Sequence, residues 1–90
     1  MTNRRILMII NEKGLHARAA AKLVEMVEAH DASAEISKDG VDASGDSIMG
    51  LLMLAASKGT SIEVETSGPE AEKLGAALEM LIADRFGEDF

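Results

Sequence analysis

The sequence predicts an α+β fold: a two-layer arrangement in the order βαββαβα, with helices covering one side of a four-stranded sheet. Three patterns carry that prediction. Apolar residues recur at helical spacing in two long stretches, residues 60–66 alternate with a period of two, and an Asp-Gly pair separates two short strand-like runs.

The elements follow in chain order. Arg5 to Asn11 is β-branched and aliphatic, the pattern of a buried or half-buried strand. From Ala17 to about His30 the period changes. Ala20, Leu23, Val24 and Val27 fall on one helical face, with Lys22, Glu25 and Glu28 elsewhere. Ala34–Ser37 and Val41–Ala43 read as two short strands joined by Lys38-Asp39-Gly40, a tight hairpin turn. Gly45-Asp46-Ser47 opens an apolar segment, Ile48 to Ala56, expected as a short helix closed near Lys58-Gly59. In Thr60–Thr66, Ile62 and Val64 face one side while Ser61, Glu63 and Glu65 face the other, as in a strand with one solvated face. Ser67-Gly68-Pro69-Glu70 reads as a helix start, and Ala71, Leu74, Leu78, Leu81 and Ile82 form the stripe of a third helix. The tail Gly87-Glu88-Asp89-Phe90 is polar and expected to fray.

Residues 1–90 fit one domain, and 47% hydrophobic residues allow a single aliphatic core. The absence of cysteine excludes disulfides, thiolate catalysis and cysteine-based metal sites. No set of histidines and carboxylates has metal-ligand spacing, so neither metal nor cofactor is expected. The apolar run Ile6–Ile10 is too short for a secretion signal, and nothing approaches the ~20 residues of a membrane span, so a cytoplasmic protein is the expectation. A net charge of −7 argues against nucleic acid. The charge is unevenly distributed: residues 1–22 carry +4 and residues 23–90 carry −11. The basic segment could steer an acidic surface or a phosphate.

That segment holds the residues most suited to chemistry. His16 and Arg18 stand where the first strand gives way to the first helix. The leading N–H groups of a helix have no partner within it, and the helix dipole makes the place hospitable to an anion. A neutral imidazole is a good nucleophile, and a helix N-terminus favours the neutral form. Arg18 and the following N–H groups could hydrogen-bond a phosphoryl group on the ring. Small residues Ala17, Ala19, Ala20 and Ala21 leave room for a partner's active site. The bland alternative is that His16 only starts a helix and Arg18 is solvated. His30, at the other end of that helix, suits a capping or solvated role. Ser47 suits an N-cap. Ile48, Met49, Leu51, Leu52, Met53 and Leu54 cannot all point inward, so an exposed apolar patch is expected, with Leu51 and Leu54 in the core.

Gly14-Leu15-His16-Ala17-Arg18 resembles the active-site motif of HPr, the histidine phosphocarrier family of the bacterial phosphotransferase system. Ser47-Ile48-Met49-Gly50-Leu51-Leu52-Met53-Leu54 resembles the family's regulatory-serine helix, and the element order matches over essentially the whole chain. Leu51–Leu54, Lys58-Gly59 and Ile62–Glu65 with Gly68-Pro69 are more similar to the NPr type, of the nitrogen-related branch, than to the sugar-uptake carrier.

The resemblance implies an open-faced sandwich whose antiparallel sheet runs in the order 1-4-2-3. It implies that His16 accepts a phosphoryl group on Nδ1 from the phosphohistidine of Enzyme I, charged by phosphoenolpyruvate, and passes it to a histidine of an enzyme IIA protein. Arg18 and the backbone N–H of Ala17 would stabilise that group. Ile48, Met49 and Leu52, with Lys22, would form the docking surface, and Ser47 would be the target of an HPr kinase. The protein would be a monomer and a covalent carrier rather than an independent catalyst. Its alternative role is a regulatory module acting through phosphorylation-dependent contacts, and a small-ligand-binding α+β domain would leave both motifs unexplained. One position departs from the family: Ala19 stands where proline is usual, and a slightly looser helix start is expected there.

Overall fold

A computed structural model describes residues 1–90. Its strands are β1 (Thr2–Met8), β2 (Ser33–Lys38), β3 (Val41–Ser44) and β4 (Ser61–Ser67), and its helices are α1 (Ala17–Glu28), α2 (Ile48–Met53) and α3 (Ala71–Ala83). The order is βαββαβα, as expected, with a short 3₁₀ turn at Arg85–Gly87 after α3. Every strand pair is antiparallel and the sheet order is β1-β4-β2-β3.

Alternation decides which face of the sheet is covered. Ile62, Val64 and Thr66 of β4 are buried against the helices, while Ser61, Glu63 and Glu65 lie on the open face. Pairing carries the alternation across: Val64 lies opposite Arg5 on one side and Ile36 on the other, and Ile36 opposite Ala43. Lys38 pairs with Val41, so Asp39 and Gly40 alone make the hairpin loop. Both have positive φ (49° and 81°), the geometry the Asp-Gly pair favours because it matches the strand twist.

The helices contribute the apolar stripes the sequence predicts. Ala20, Leu23, Val24 and Val27 of α1 and Ala71, Leu74, Leu78 and Ile82 of α3 are buried, and Leu81 is half-buried. All of these except Ala71 and Leu81 belong, with Ile36, Leu51, Leu54, Ile62 and Val64, to one core cluster of 19 residues, and Leu81 packs against it.

Four boundaries differ from the sequence reading by more than one residue, each for a tertiary reason. β1 lies earlier than Arg5–Asn11, because β4 pairs with it from Thr2 to Met8. Ile9 continues the path irregularly, held by Thr60 O at 2.9 Å and Gly59 N at 2.7 Å. α1 ends at Glu28 rather than His30, and the His30 Nδ1–H donates to the Met26 carbonyl at 2.8 Å, the capping role expected of it. α2 stops at Met53 instead of running to Ala56, because Ala55 turns left-handed (φ 52°) before Gly59 is reached. The largest difference is at the C-terminus. Residues 87–90 are not frayed: Phe86 is fully buried, and the Glu12 N–H donates to the Phe90 carbonyl at 2.9 Å.

Phe86 is therefore the anchor of the tail. Phe86→Ala should lower stability by about 3–5 kcal/mol, the usual cost of deleting a fully buried phenyl ring. Chemical denaturation measures it, and a loss under 1 kcal/mol would show that the ring contributes little.

Candidate functional site

His16 is the residue immediately before α1, in extended conformation (φ −85°, ψ −177°), with no side-chain cap on the helix. Its carbonyl accepts the first helical bond, from Ala20 N at 2.8 Å. The N–H groups of Ala17, Arg18 and Ala19 are left without a protein partner. These are the orphan donors expected at a helix start, and they lie directly after the imidazole.

The backbone leading to His16 is tightly fixed. Gly14 has φ +67°, and a Cβ there would lie 2.6 Å from the Ala56 carbonyl oxygen. That carbonyl is occupied by Leu15 N at 2.9 Å, while Gly14 O accepts from His16 N at 2.9 Å and from the Asn11 side-chain amide at 2.8 Å. Leu15 is itself buried. The looser helix start expected from Ala19 is therefore offset: these bonds and the burial of Ala19 set where the helix begins, without a proline.

The expected site residues divide into those the fold brings together and those it does not. Arg18 is exposed and forms no ion pair, and Ala17 is exposed beside it. Lys22 has its ammonium on the Phe86 carbonyl at 2.5 Å, so it also ties down the tail. Lys13, Arg18 and Lys22 line an open cleft of about 440 Å³ with Glu12, Glu88 and Asp89. The +4 of the first 22 residues is thus not a free field. Arg4 pairs with Glu63 and Glu65, Arg5 pairs with Glu79, and the acidic tail folds back among the other cations.

Ser47 caps α2, its Oγ accepting from Gly50 N at 3.0 Å, and it is half-buried. Leu51 and Leu54 enter the core as expected, whereas Ile48, Met49, Leu52 and Met53 stay exposed, Met49 and Met53 at 73% and 75%. Ala55, Ala56 and Ser57, which follow this patch, share a shallow depression with Lys13, Leu15 and His16. The Leu15–Ala56 bond thus ties the first motif to the loop that follows the second, although His16 and Ser47 are 31 positions apart.

Sequence reasoning missed two residues of the site. Asn11 is fully buried, and its amide donates both to Gly14 O and to Glu88 Oε1, the latter at 3.0 Å. Glu88 Oε2 hydrogen-bonds His16 Nε2. The signal available for Asn11 was a polar residue closing an apolar run. Nothing local marked Glu88, which lies 72 positions from His16. Burial alone would raise the Glu88 carboxyl, but the hydrogen bonds from Asn11 and His16, with the charges of His16 and Lys13, outweigh it and hold it below the usual 4.5.

Comparison with known proteins finds consistent relatives. A family model described as "PTS HPr component phosphorylation site" matches residues 3–84. Phosphocarrier protein HPr of Cupriavidus necator is 45% identical over 80 residues, 89% of this chain and 90% of that protein. Phosphocarrier protein NPr of Escherichia coli K12 is 41% identical over 90 residues, 99% of this chain and 100% of that one. Relatives of either name match at similar identity, so identity by itself does not favour the NPr branch. Among solved structures, HPr-C-His from Thermoanaerobacter tengcongensis superimposes with a TM-score of 0.92 at 32% identity, covering 98% of this chain and 99% of that one.

Two outcomes follow from the site's geometry. Gly14→Ala forces a side chain into left-handed backbone and against a carbonyl, and should cost at least about 2 kcal/mol in a denaturant titration. Because folding lowers the Glu88 carboxyl, its contribution to stability is fully present above the unfolded value of 4.5 and is lost as pH falls through the lower folded value. Unfolding midpoints of the parent chain and Glu88→Gln should differ above that window and converge below it. A difference that persists at the acid end would contradict the assignment.

Proposed function

The chain belongs to the HPr family of phosphotransferase-system phosphocarriers, and from that premise we propose that His16 is the residue phosphorylated. The phosphoryl group comes from a phosphohistidine of Enzyme I. The donor's P–N bond breaks as a P–N bond to Nδ1 of His16 forms, and the reverse exchange delivers the group to a histidine of an enzyme IIA protein. The observation that carries the reading is the half-buried His16 placed before three unpartnered N–H groups, with unpaired Arg18 one turn position away. Those N–H groups, Ala17's among them, and the Arg18 guanidinium supply donors for the three phosphoryl oxygens. Transfer between two histidines needs positioning and charge stabilisation rather than a further catalytic group, so the chain is a carrier and its partners complete the site.

Ile48, Met49 and Leu52 give the partners an exposed apolar surface on α2, and Met suits contact with more than one of them. Lys22 lines the cleft with Arg18. Ser47 lies at the edge of this patch, next to Asp46. A phosphoryl group there would add roughly −2 charge to the docking surface, the change an HPr kinase would make. We read the protein as a cytoplasmic monomer. No helix is long and apolar enough to cross a membrane.

The phosphorylation test is direct. Enzyme I with phosphoenolpyruvate should add one acid-labile phosphoryl group, His16→Ala should abolish it, and His30→Ala should leave it unchanged. Met49→Glu with Leu52→Glu should slow labelling without unfolding the protein. Labelling retained by His16→Ala would overturn the assignment. A regulatory module acting through the exposed α2 patch would instead keep its partner in a pull-down with His16→Ala and lose it with the two glutamate substitutions.

A further inference from the structure

Phe86 and Lys22 secure the chain just before the C-terminal tail, and the tail then reaches the imidazole through Glu88. That contact constrains the ring. Glu88 Oε2 meets Nε2 of His16, and an ionised carboxylate can only accept a hydrogen bond. A neutral imidazole carries one proton, so that contact places it on Nε2 and leaves the lone pair on Nδ1.

The carboxylate is itself clamped. Its other oxygen receives the side-chain amide of Asn11, whose second hydrogen goes to Gly14 O. Both of these partners are acceptors, so the amide orientation is fixed: the reverse one would set Oδ1 against two oxygens. Asn11 Oδ1 is left buried without a partner, the sign of a side chain held for what its nitrogen does. The side chains of His16 and Glu88 are 26% and 14% exposed, enough shielding for a charge-assisted bond to persist.

We propose that Glu88 is a positioning residue for the phosphoryl acceptor: it holds the His16 proton on Nε2, keeps Nδ1 bare as the nucleophile, and offsets the ring charge once Nδ1 is phosphorylated. The inference rests on the reading of His16 as the acceptor. The proton balance is simple. When the P–N bond of the donor breaks and the bond to Nδ1 forms, the His16 ring carries phosphorus on one nitrogen and hydrogen on the other, and is formally cationic. Glu88 faces that charge. On delivery the bond to Nδ1 breaks, its electron pair returns to Nδ1, and the Nε2 proton has not moved in either step. This is the logic by which a carboxylate orients a catalytic or metal-bound histidine through its second nitrogen.

His30 supplies the internal control. Its Nδ1 faces the Met26 carbonyl, which can only accept, so neutral His30 carries its proton on Nδ1, the reverse of His16. In ¹H–¹⁵N spectra of ring-labelled protein, recorded at alkaline pH where the ring signals no longer move with pH, His16 should show a bare Nδ1 and an exchange-protected, downfield Nε2–H. His30 should show the reverse tautomer. Glu88→Ala should remove the protected His16 signal, leave His30 unchanged, and slow phosphoryl acceptance from Enzyme I about tenfold, the lower end of what a charge-assisted hydrogen bond supplies. A His16 proton found on Nδ1 or shared between the two nitrogens in the parent chain would overturn the proposal, as would an unchanged rate in a variant that has lost the signal. If Enzyme I labels neither chain, the acceptor reading fails, while the tautomer spectra still report on Glu88 independently.

Discussion

The side chain of Asn11 is the joint on which the site depends. It is fully buried, and it ties the carbonyl of Gly14 to the carboxylate of Glu88. On one side it fixes the left-handed turn that aims Leu15 into the core and His16 at the helix start. On the other it gives the tail a fixed end. A buried amide of this kind is expensive to leave unpaired, so two bonds made in the protein interior define the geometry sharply even though one oxygen is orphaned. His16 is thereby held from two directions, by its own backbone through Gly14 and by its ring through Glu88.

Around that joint the fold acts as a frame. The four-stranded sheet presents its covered face to α1 and α3, and α1 starts where β1 and the loop after α2 converge. A helix start that faces solvent with unpaired N–H groups is tolerable because water satisfies them, and it is useful because an anion can replace that water. The same economy serves α2. Ser47 closes the helix start with its hydroxyl, and so short a helix buries Leu51, with Leu54 just past its end, and leaves the other apolar residues outward.

The parts of the molecule legible in the sequence are those encoded by neighbours in the chain. The stripe of α1, the alternation of β4, the Asp39-Gly40 turn and the Ser47 cap all depend on residues within a few positions of one another, and each is found as read. The role of His30 was readable for the same reason, since a histidine at a helix end meets the carbonyl four residues back. Resemblance of two short motifs supplied the strand order, which local pattern cannot give. The shift of β1, the early stop of α2 at Ala55 and the ordering of residues 87–90 were not legible, because each depends on a partner strand, a core contact or a loop far away in sequence.

His16, Arg18, Ser47 and the exposed α2 patch were determined by the sequence by itself, since residue type and helical phase suffice to place a side chain at a helix start or on a helix face. Only the tertiary structure decided the electrostatic surroundings of His16. The basic first segment reads as a free positive field, but Arg4 and Arg5 are paired across the sheet and helix, and Glu88 returns over 72 positions to face the ring. Phe86 makes that return possible: its burial in the core outweighs the entropy of a polar tail, a balance set by the shape of the interior and not by the residues adjacent to it.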